Sequence, residues 1–203
     1  NLWGHLDRFA LEMDIINRCF SDLLTSDPIP PTSRLPFSKD EIKKVWDHQK
    51  EPWVDTVLIL LYSGWRISEL LNLKPEDINL QAGTMKGGTK TKAGKDRVVP
   101  IHSKIKPLVE ARLAEGGPRL ISYNGRVCNQ TQYRIFWADI MKALGMNHTP
   151  HECRHTFETQ LDSAGANRKC IDLLMGHVSK DTGNRVYNHK TLDELKSTVE
   201  LIQ

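Results

Sequence analysis

The sequence predicts an α+β fold that is mostly α-helical, with one small antiparallel sheet. Three observations predict it. Apolar residues recur at helical spacing through most of the chain, as in Val54, Val57, Leu58 and Leu61. Helix-start signals punctuate these stripes: Ser38-Lys39-Asp40-Glu41 and Thr149-Pro150-His151-Glu152 each place an acid three residues after a hydroxyl side chain, the pattern of a capping box. Strand character concentrates in residues 78–101, on either side of a lysine-rich turn. A length of 203 residues fits one good-sized domain with a small appendage.

Taken in order, residues 1–25 predict a helix with Leu2, Leu6, Phe9, Ala10 and Met13 on one face. Asp27-Pro28-Ile29-Pro30-Pro31 and then Pro36 predict an extended linker over 26–37. The chain begins without methionine inside this first helix, so 1–25 is expected to be the tail of a preceding domain or a docking segment, and 38–203 the main domain. Ser38 opens a helix through Ile42, Val45 and Trp46. The next helix carries the Val54–Leu61 stripe and breaks at Gly64. Arg66 to Leu73 restarts as a helix with Arg66 at its N-terminal end, a place suited to an anion. Arg66 reads equally as a surface arginine or as one half of an ion pair.

Ile78 and Leu80, then Arg97-Val98-Val99-Pro100-Ile101, predict the arms of a hairpin. Between them Lys86, Lys90, Lys92 and Lys95 concentrate the chain's positive charge. Such a hairpin is either a solvated loop or a basic finger for a DNA groove, with Lys86, Lys92, Lys95 and Arg97 on phosphates. Ser103–Glu115 is an amphipathic helix closed by Gly116-Gly117-Pro118, and Leu120–Tyr123 a short strand or loop. Tyr133, Phe136, Trp137, Ile140, Met141 and Leu144 form a core stripe that Gly145 ends. The 149–163 helix follows, then one over 168–175 capped by Asn167, with Gly176 terminating it and His177 on the turn. Ser179–Tyr187 is short helix or irregular, and Leu192, Leu195, Val199 and Ile202 mark a last amphipathic helix.

The bulk numbers exclude several classes. A net charge of +3 is only mildly basic, so a nucleic-acid partner needs clustered charge, which the hairpin supplies. Cys19, Cys128, Cys153 and Cys170 are far apart, with neither zinc-knuckle spacing nor a disulfide framework, and are expected to be reduced thiols of a cytosolic protein. No secretory signal and no apolar run of membrane-spanning length is present, so no membrane partner is expected.

Chemistry concentrates at residues 149–157. His151 and Arg154 are three apart and share one face at a helix N-terminus, where N–H groups and dipole attract anions. They make a seat for a phosphate. The same letters, His151-Glu152-Cys153-Arg154-His155, spell the helix of a zinc metalloprotease, with His151 and His155 as ligands and Glu152 as base.

Four boxes in order decide between these readings. Ser63-Gly64-Trp65-Arg66-Ile67-Ser68-Glu69-Leu70 resembles the first-arginine box of the tyrosine recombinases, the phage-type integrases. Thr89-Lys90-Thr91-Lys92, running into Arg97–Ile101, is similar to their lysine hairpin. His151-Glu152-Cys153-Arg154-His155-Thr156 resembles the H-x-x-R-H-T box, and Leu174-Met175-Gly176-His177 with Tyr187-Asn188-His189 resembles the ending. The resemblance covers about residues 38–203, with a flavour of conjugative-transposon integrases. Met175 stands where leucine is common, and the His177–Tyr187 gap is one residue longer than the usual spacing.

The resemblance implies a site-specific recombinase that cleaves and rejoins DNA strands, integrating or excising a mobile element. It implies a mostly α domain with a small sheet, cupping duplex DNA, and makes 1–25 the end of a DNA-clamping domain. Tyr187 would be the nucleophile, a phenol of ordinary pKa about 10 that needs help losing its proton. His151 would give that help, Arg66 and Arg154 would fork onto the non-bridging oxygens, His177 would donate a further hydrogen bond, and Lys90 would protonate the departing 5′ oxygen. These cations substitute for metal ions, so no cofactor is expected. The partners are a double-stranded recombination site and further copies of the chain, as a dimer or tetramer, with the 191–203 helix either docking on a neighbour or folding on its own core. A prokaryotic cytoplasm is the expected location. The zinc reading gives Arg66, the lysines and Tyr187 no role, and a non-catalytic DNA-binding module would not need Tyr187.

Overall fold

The computed structural model describes residues 2–24, 35–88, 94–177 and 191–203. They divide into two units, Asn1–Ser33 and Arg34–Gln203. In the first, α1 (Leu2–Glu12) is shorter than the helix expected over 1–25. Asp14 turns left-handed at φ 55°, which a helix cannot continue through, and only a 3₁₀ turn at Ser21–Leu23 follows. The Asp7 carboxylate accepts the Ser21 N–H, tying the turn back to α1. Leu2, Trp3, Leu6 and Phe9 are exposed.

In the second unit, local signals set the helix starts. α2 (Lys39–Asp47) opens on the expected capping box, with the Ser38 N–H donating to Glu41 at 2.7 Å and the Glu41 N–H to Ser38 at 3.3 Å. α3 (Val54–Ser63) is buried on all sides but for Asp55, not on one stripe alone, and forms the axis of the core. Gly64 ends it at φ 63°, as expected. The 66–73 helix is a single turn, α4 (Ile67–Leu70), after which Leu71 and Leu73 enter the core.

The hairpin gains a third strand. β1 (Ile78–Asn79) pairs antiparallel with β2 (Thr84–Gly87), which pairs antiparallel with β3 (Arg97–Pro100), in the order β1-β2-β3. A 3₁₀ turn at Ser103–Ile105 leads into α5 (Lys106–Ala114). β4 (Ser122–Tyr123) and β5 (Arg126–Val127) make a second small antiparallel ribbon. α6 (Gln130–Ala143) starts on an Asn129–Gln132 capping box and buries Tyr133, Trp137, Ile140 and Met141. α7 (Pro150–Ser163) runs along α3, burying Cys153, Phe157 and Leu161.

α8 (Arg168–Met175) follows, capped by Asn167 as expected. The Ser179–Tyr187 expectation lies outside the described residues. α9 (Leu192–Val199) packs on α8 and β3 of its own unit, with Leu195, Val199 and Ile202 buried. The Ile202 carbonyl accepts from His102 Nε2 at 2.9 Å, and the Glu200 carboxylate accepts the Ser103 N–H at 2.6 Å. Among the described residues no helix is long and apolar enough to cross a membrane.

Candidate functional site

α7 starts where the sequence marks it. Pro150 takes the first turn, and the Glu152 carboxylate accepts the Thr149 N–H at 2.7 Å. The same carboxylate lies 3.1 Å from His148 Nδ1, while His148 Nε2 reaches Glu41 at 3.1 Å. Phe37 stacks on the His148 ring at 3.8 Å and donates its N–H to Thr156 Oγ1 at 2.8 Å. The first turn of α7 is thus clamped to the start of α2, with His151 and Arg154 projecting from it.

The two arginines come from different ends of the fold and meet. Arg66 follows the Gly64 turn, is partly exposed, and donates through Nη1 to Glu69 at 3.2 Å. Arg154 is 2% exposed. It donates to the Gly64 carbonyl at 2.6 Å and also to the Met175 carbonyl, and its Nη2 lies 3.3 Å from His177 Nε2. Arg66, His151, Arg154, His155, Glu158, Met175 and His177 together line a cavity of about 290 Å³. Four of the six residues expected to act on a phosphate are therefore in one place. Lys90 and Tyr187 lie outside the described residues, as does Lys92.

The electrostatics of the cavity favour an anion. Burial, then the nearby Arg66 and Arg97 cations, push the Arg154 pKa from 12.5 down to about 9. The guanidinium is still charged at neutral pH, but it is desolvated beside like charge. A phosphate would relieve both costs. Burial, then Arg154, lowers the His177 pKa as well. The cationic neighbours that make the imidazole reluctant to take a proton would be offset by a bound phosphate.

Lys86 and Lys95 are exposed at the two sides of the hairpin base, where a phosphate backbone could reach them. Arg97 is not with them: it is buried, contrary to the expectation that it contacts DNA phosphates. Its side chain is 4% exposed and pairs with Glu69 at 2.8 Å beneath the cavity. β3 alternates, and the register that points Val98 outward turns Arg97 in. Glu69 is the residue that the sequence reading passed over. Burial would raise its pKa, but Arg97 and Arg66 outweigh burial and hold the carboxyl below its usual value. Its position three residues after Arg66, at the third position of a helical turn, was the available signal.

The zinc reading finds no support in the donor set. Glu152 caps the helix instead of facing the cavity, two guanidiniums share the space with His151 and His155, and no group of three or more metal-holding side chains forms among the described residues. A cation there would meet Arg66 and Arg154.

Comparisons with known proteins agree. The phage integrase family matches residues 37–194. The tyrosine recombinase XerA of Pyrococcus furiosus is 33% identical over 193 residues, 89% of this chain and 66% of that protein. The tyrosine recombinase XerC of Pelobacter propionicus is 35% identical over 148 residues, 68% of this chain and 48% of that protein. The chain thus spans about half to two thirds of these relatives. Among solved structures, the Tn1549 transposon integrase in complex with circular intermediate DNA superposes with a TM-score of 0.68 at 23% identity, over 96% of this chain and 74% of that one. A lambda integrase tetramer bound to a Holliday junction gives 0.70 at 17% identity, over 92% of this chain and 59% of that one. At those identities the structures speak for the fold, and the sequence match for kinship. With the family match spanning residues 37–194 and Arg66, His151, Arg154 and His177 lining one cavity, the chain belongs to the phage integrase family, the tyrosine recombinases.

Proposed function

We propose that the chain is the catalytic part of a site-specific DNA recombinase that cleaves and rejoins strands through a covalent 3′-phosphotyrosine intermediate, in the integration and excision of a mobile element. The observation that carries this reading is the buried Arg154 guanidinium, crowded by Arg66 and lining one cavity with His151 and His177. A bound anion would stabilise such a cluster further than Glu69 and Glu158 do, and a scissile phosphodiester is the anion the family handles.

By this reading Arg66 and Arg154 hold the non-bridging oxygens and stabilise the charge of the phosphorane. The Tyr187 oxygen attacks phosphorus as His151 takes its proton. The bond from phosphorus to the 5′ oxygen breaks, and Lys90 gives that oxygen a proton. His177 donates a hydrogen bond to the phosphoryl group. Phosphate ester energy is kept in the 3′-phosphotyrosine, so a 5′ hydroxyl of another strand reverses the step without ATP. Positively charged side chains do the work a metal does elsewhere. Lys86, Lys92 and Lys95 contact the DNA backbone.

Residues 1–25 are the end of a DNA-clamping domain, 26–37 a linker, and 38–203 the catalytic domain. The chain assembles as a dimer or tetramer on DNA, as lambda integrase does in its solved dimer on a core site and tetramer on a Holliday junction. The 191–203 segment folds on its own core, which leaves only its exposed side, with Leu192 and Leu201, as the contact between copies. Bacterial and archaeal relatives support action in a prokaryotic cytoplasm.

The test needs no known site. Nicked duplexes randomised on both sides of the nick are incubated with the chain, and adducts that survive denaturant are recovered and sequenced. An adduct that forms in EDTA and disappears with Tyr187→Phe is expected. Persistence of the adduct in that variant overturns the choice of nucleophile. Lys90→Ala is expected to slow adduct formation more than Lys92→Ala, and the reverse order reassigns the general acid.

A further inference from the structure

Arg97 leaves the lysine hairpin on β3 and turns inward. Three groups hold its side chain. Nη2 donates to Glu69 Oε2 at 2.8 Å, Nε donates to the Leu174 carbonyl at 3.1 Å, and the guanidinium lies 4.0 Å from the centre of a Trp65 ring. Two of them lead to Arg66 and the third to His177, both on the cavity wall. Glu69 holds Arg66 at its other oxygen, Leu174 lies three residues before His177, and Trp65 immediately precedes Arg66.

The hairpin base closes around the same side chain. A Cβ on Gly88 would lie 2.7 Å from Arg97 Nη1, and one on Gly176 would lie 3.3 Å from Arg97 Cδ and 2.7 Å from Gly94 Cα. These glycines let the hairpin base and the end of α8 approach, and Arg97 fills the seam between them.

Packing alone does not call for an arginine here. Burying a guanidinium costs several kcal/mol, and an apolar side chain of similar volume often serves stability as well. Arg97 Nη1 finds no hydrogen-bond partner among the described residues, so the charge is not there to saturate donors. What the charge does is electrostatic. Paired with Arg66 and not with Arg97, Glu69 would cancel the charge that Arg66 brings to the cavity beside Arg154. Shared between Arg66 and Arg97, the carboxylate orients Arg66 while the three groups together keep one net positive charge.

We propose that Arg97 is a positioning residue for the phosphate site: by sharing the Glu69 carboxylate it keeps Arg66 held yet not neutralised, and through the Leu174 carbonyl it fixes the turn that carries His177. This rests on the recombinase reading above.

The experiment compares two substrates of the sequence the chain traps, a nicked duplex with a normal scissile phosphodiester and the same duplex with a methylphosphonate there. The methylphosphonate lacks one negative charge, so it depends less on cationic stabilisation. Arg97→Gln is expected to slow adduct formation on the phosphodiester by about 100-fold, as a misplaced reacting geometry does, and on the methylphosphonate far less. Loss of folded structure slows both substrates by one factor, so an unchanged ratio overturns the inference, as does an unchanged phosphodiester rate. Arg97→Gln leaves Glu69 buried against a single cation, so the double variant Arg97→Gln/Glu69→Gln is the companion that removes both charges. Arg66 then keeps the single positive charge that Arg97→Gln cancels, so the ratio is expected to return toward the native value, with the two losses not multiplying. A ratio as shifted as in Arg97→Gln overturns action through Glu69. Multiplying losses overturn action through Glu69. If the unaltered chain forms no adduct on any nicked duplex, the recombinase reading itself fails and this inference with it. An adduct with an unchanged ratio in Arg97→Gln sinks this inference alone.

Discussion

Arg154 donates to the carbonyl oxygen of Gly64 at 2.6 Å, and so ties α7 to the chain two residues before Arg66. The bond sets the separation of two guanidiniums that approach from different helices. The Arg154 fork reaches the Gly64 and Met175 carbonyls from inside the fold while leaving charge at the cavity. A lysine has no second arm. Arg154→Lys is expected to slow formation of the covalent DNA adduct by about 100-fold through misplaced geometry. It is also expected to cost about 1–3 kcal/mol of stability, from the carbonyl left without its donor. Adduct kinetics alongside urea unfolding measure both. A variant that matched the native rate would remove the fork from the mechanism.

Gly64 is required at that bond for two separable reasons. Its φ is 63°, and a Cβ there would lie 2.4 Å from Phe157 Cδ1. Gly83 has nearly the same φ, 65°, with nothing within 4 Å of its would-be Cβ. Gly83→Ala therefore reports the backbone contribution alone, about 1–2 kcal/mol. Gly64→Ala is expected to lose a further 1–3 kcal/mol or so from overpacking against Phe157. Urea unfolding of the two variants checks the difference. Equal losses would show that Phe157 moves aside without cost.

These positions mark the boundary of what the sequence disclosed. Helix starts were legible because capping is local: Ser38 with Glu41, and Pro150 with Glu152, act within one turn. Arg66, His151, Arg154 and His177 were legible as candidates because each sits at a helix end or turn that suits an anion. Their meeting was visible only through family resemblance. Arg97 was misread because its burial depends on Glu69, distant in sequence, and on a strand register that a four-residue segment does not advertise. The His148 clamp between Glu41 and Glu152 was missed for the same reason, since its partners begin two different helices. Helix 1–25 was overextended because apolar residues continue past Asp14, where the backbone turns left-handed.

A second buried ion pair, outside the residues that line the cationic cavity, offers a control. Arg112 donates to both Asp55 oxygens, at 2.5 and 2.6 Å, and its guanidinium lies 4.8 Å from the Trp53 ring centre. Removing Asp55 leaves a buried cation whose remaining carboxylate partner, Glu115, is half exposed. Asp55→Ala is expected to cost about 3–5 kcal/mol, the penalty of an uncompensated buried charge. The double change Asp55→Ala/Arg112→Met is expected to recover most of it. Adduct formation at a temperature where the variants stay folded is expected to match the native chain. Thermal unfolding and the adduct assay together check this, and a rate loss in folded protein would link the α3–α5 contact to the site.

Stability is expected to fall on mild acidification, with His102 as a main cause. The ring is 2% exposed. Its Nε2 lies 2.9 Å from the Ile202 carbonyl and its Nδ1 3.0 Å from the Lys104 N–H. Those partners assign the proton to Nε2 and a lone pair to Nδ1. A second proton would point Nδ1–H at the Lys104 N–H. Burial lowers the His102 pKa below 6.5, with Lys104 adding to it, and the Ile202 carbonyl and Glu200 only partly offset this. His177 is lowered too, by burial and then Arg154. A folded-state pKa below the unfolded one means that the unfolded chain binds more protons as pH drops. The stability from each group is therefore complete above 6.5, and is lost as pH falls from the unfolded value to the folded one, by at most about 1.4 kcal/mol per pH unit for each proton. The Glu69 carboxyl, held below 4.5, acts in a separate and lower window. Urea unfolding between about pH 7 and pH 5 measures the slope. His102→Gln, which keeps one donor and one acceptor, is expected to flatten it, and the slope that remains should disappear with His177→Gln. A slope unchanged in His102→Gln would show that the α9 end gives way before the ring takes its proton.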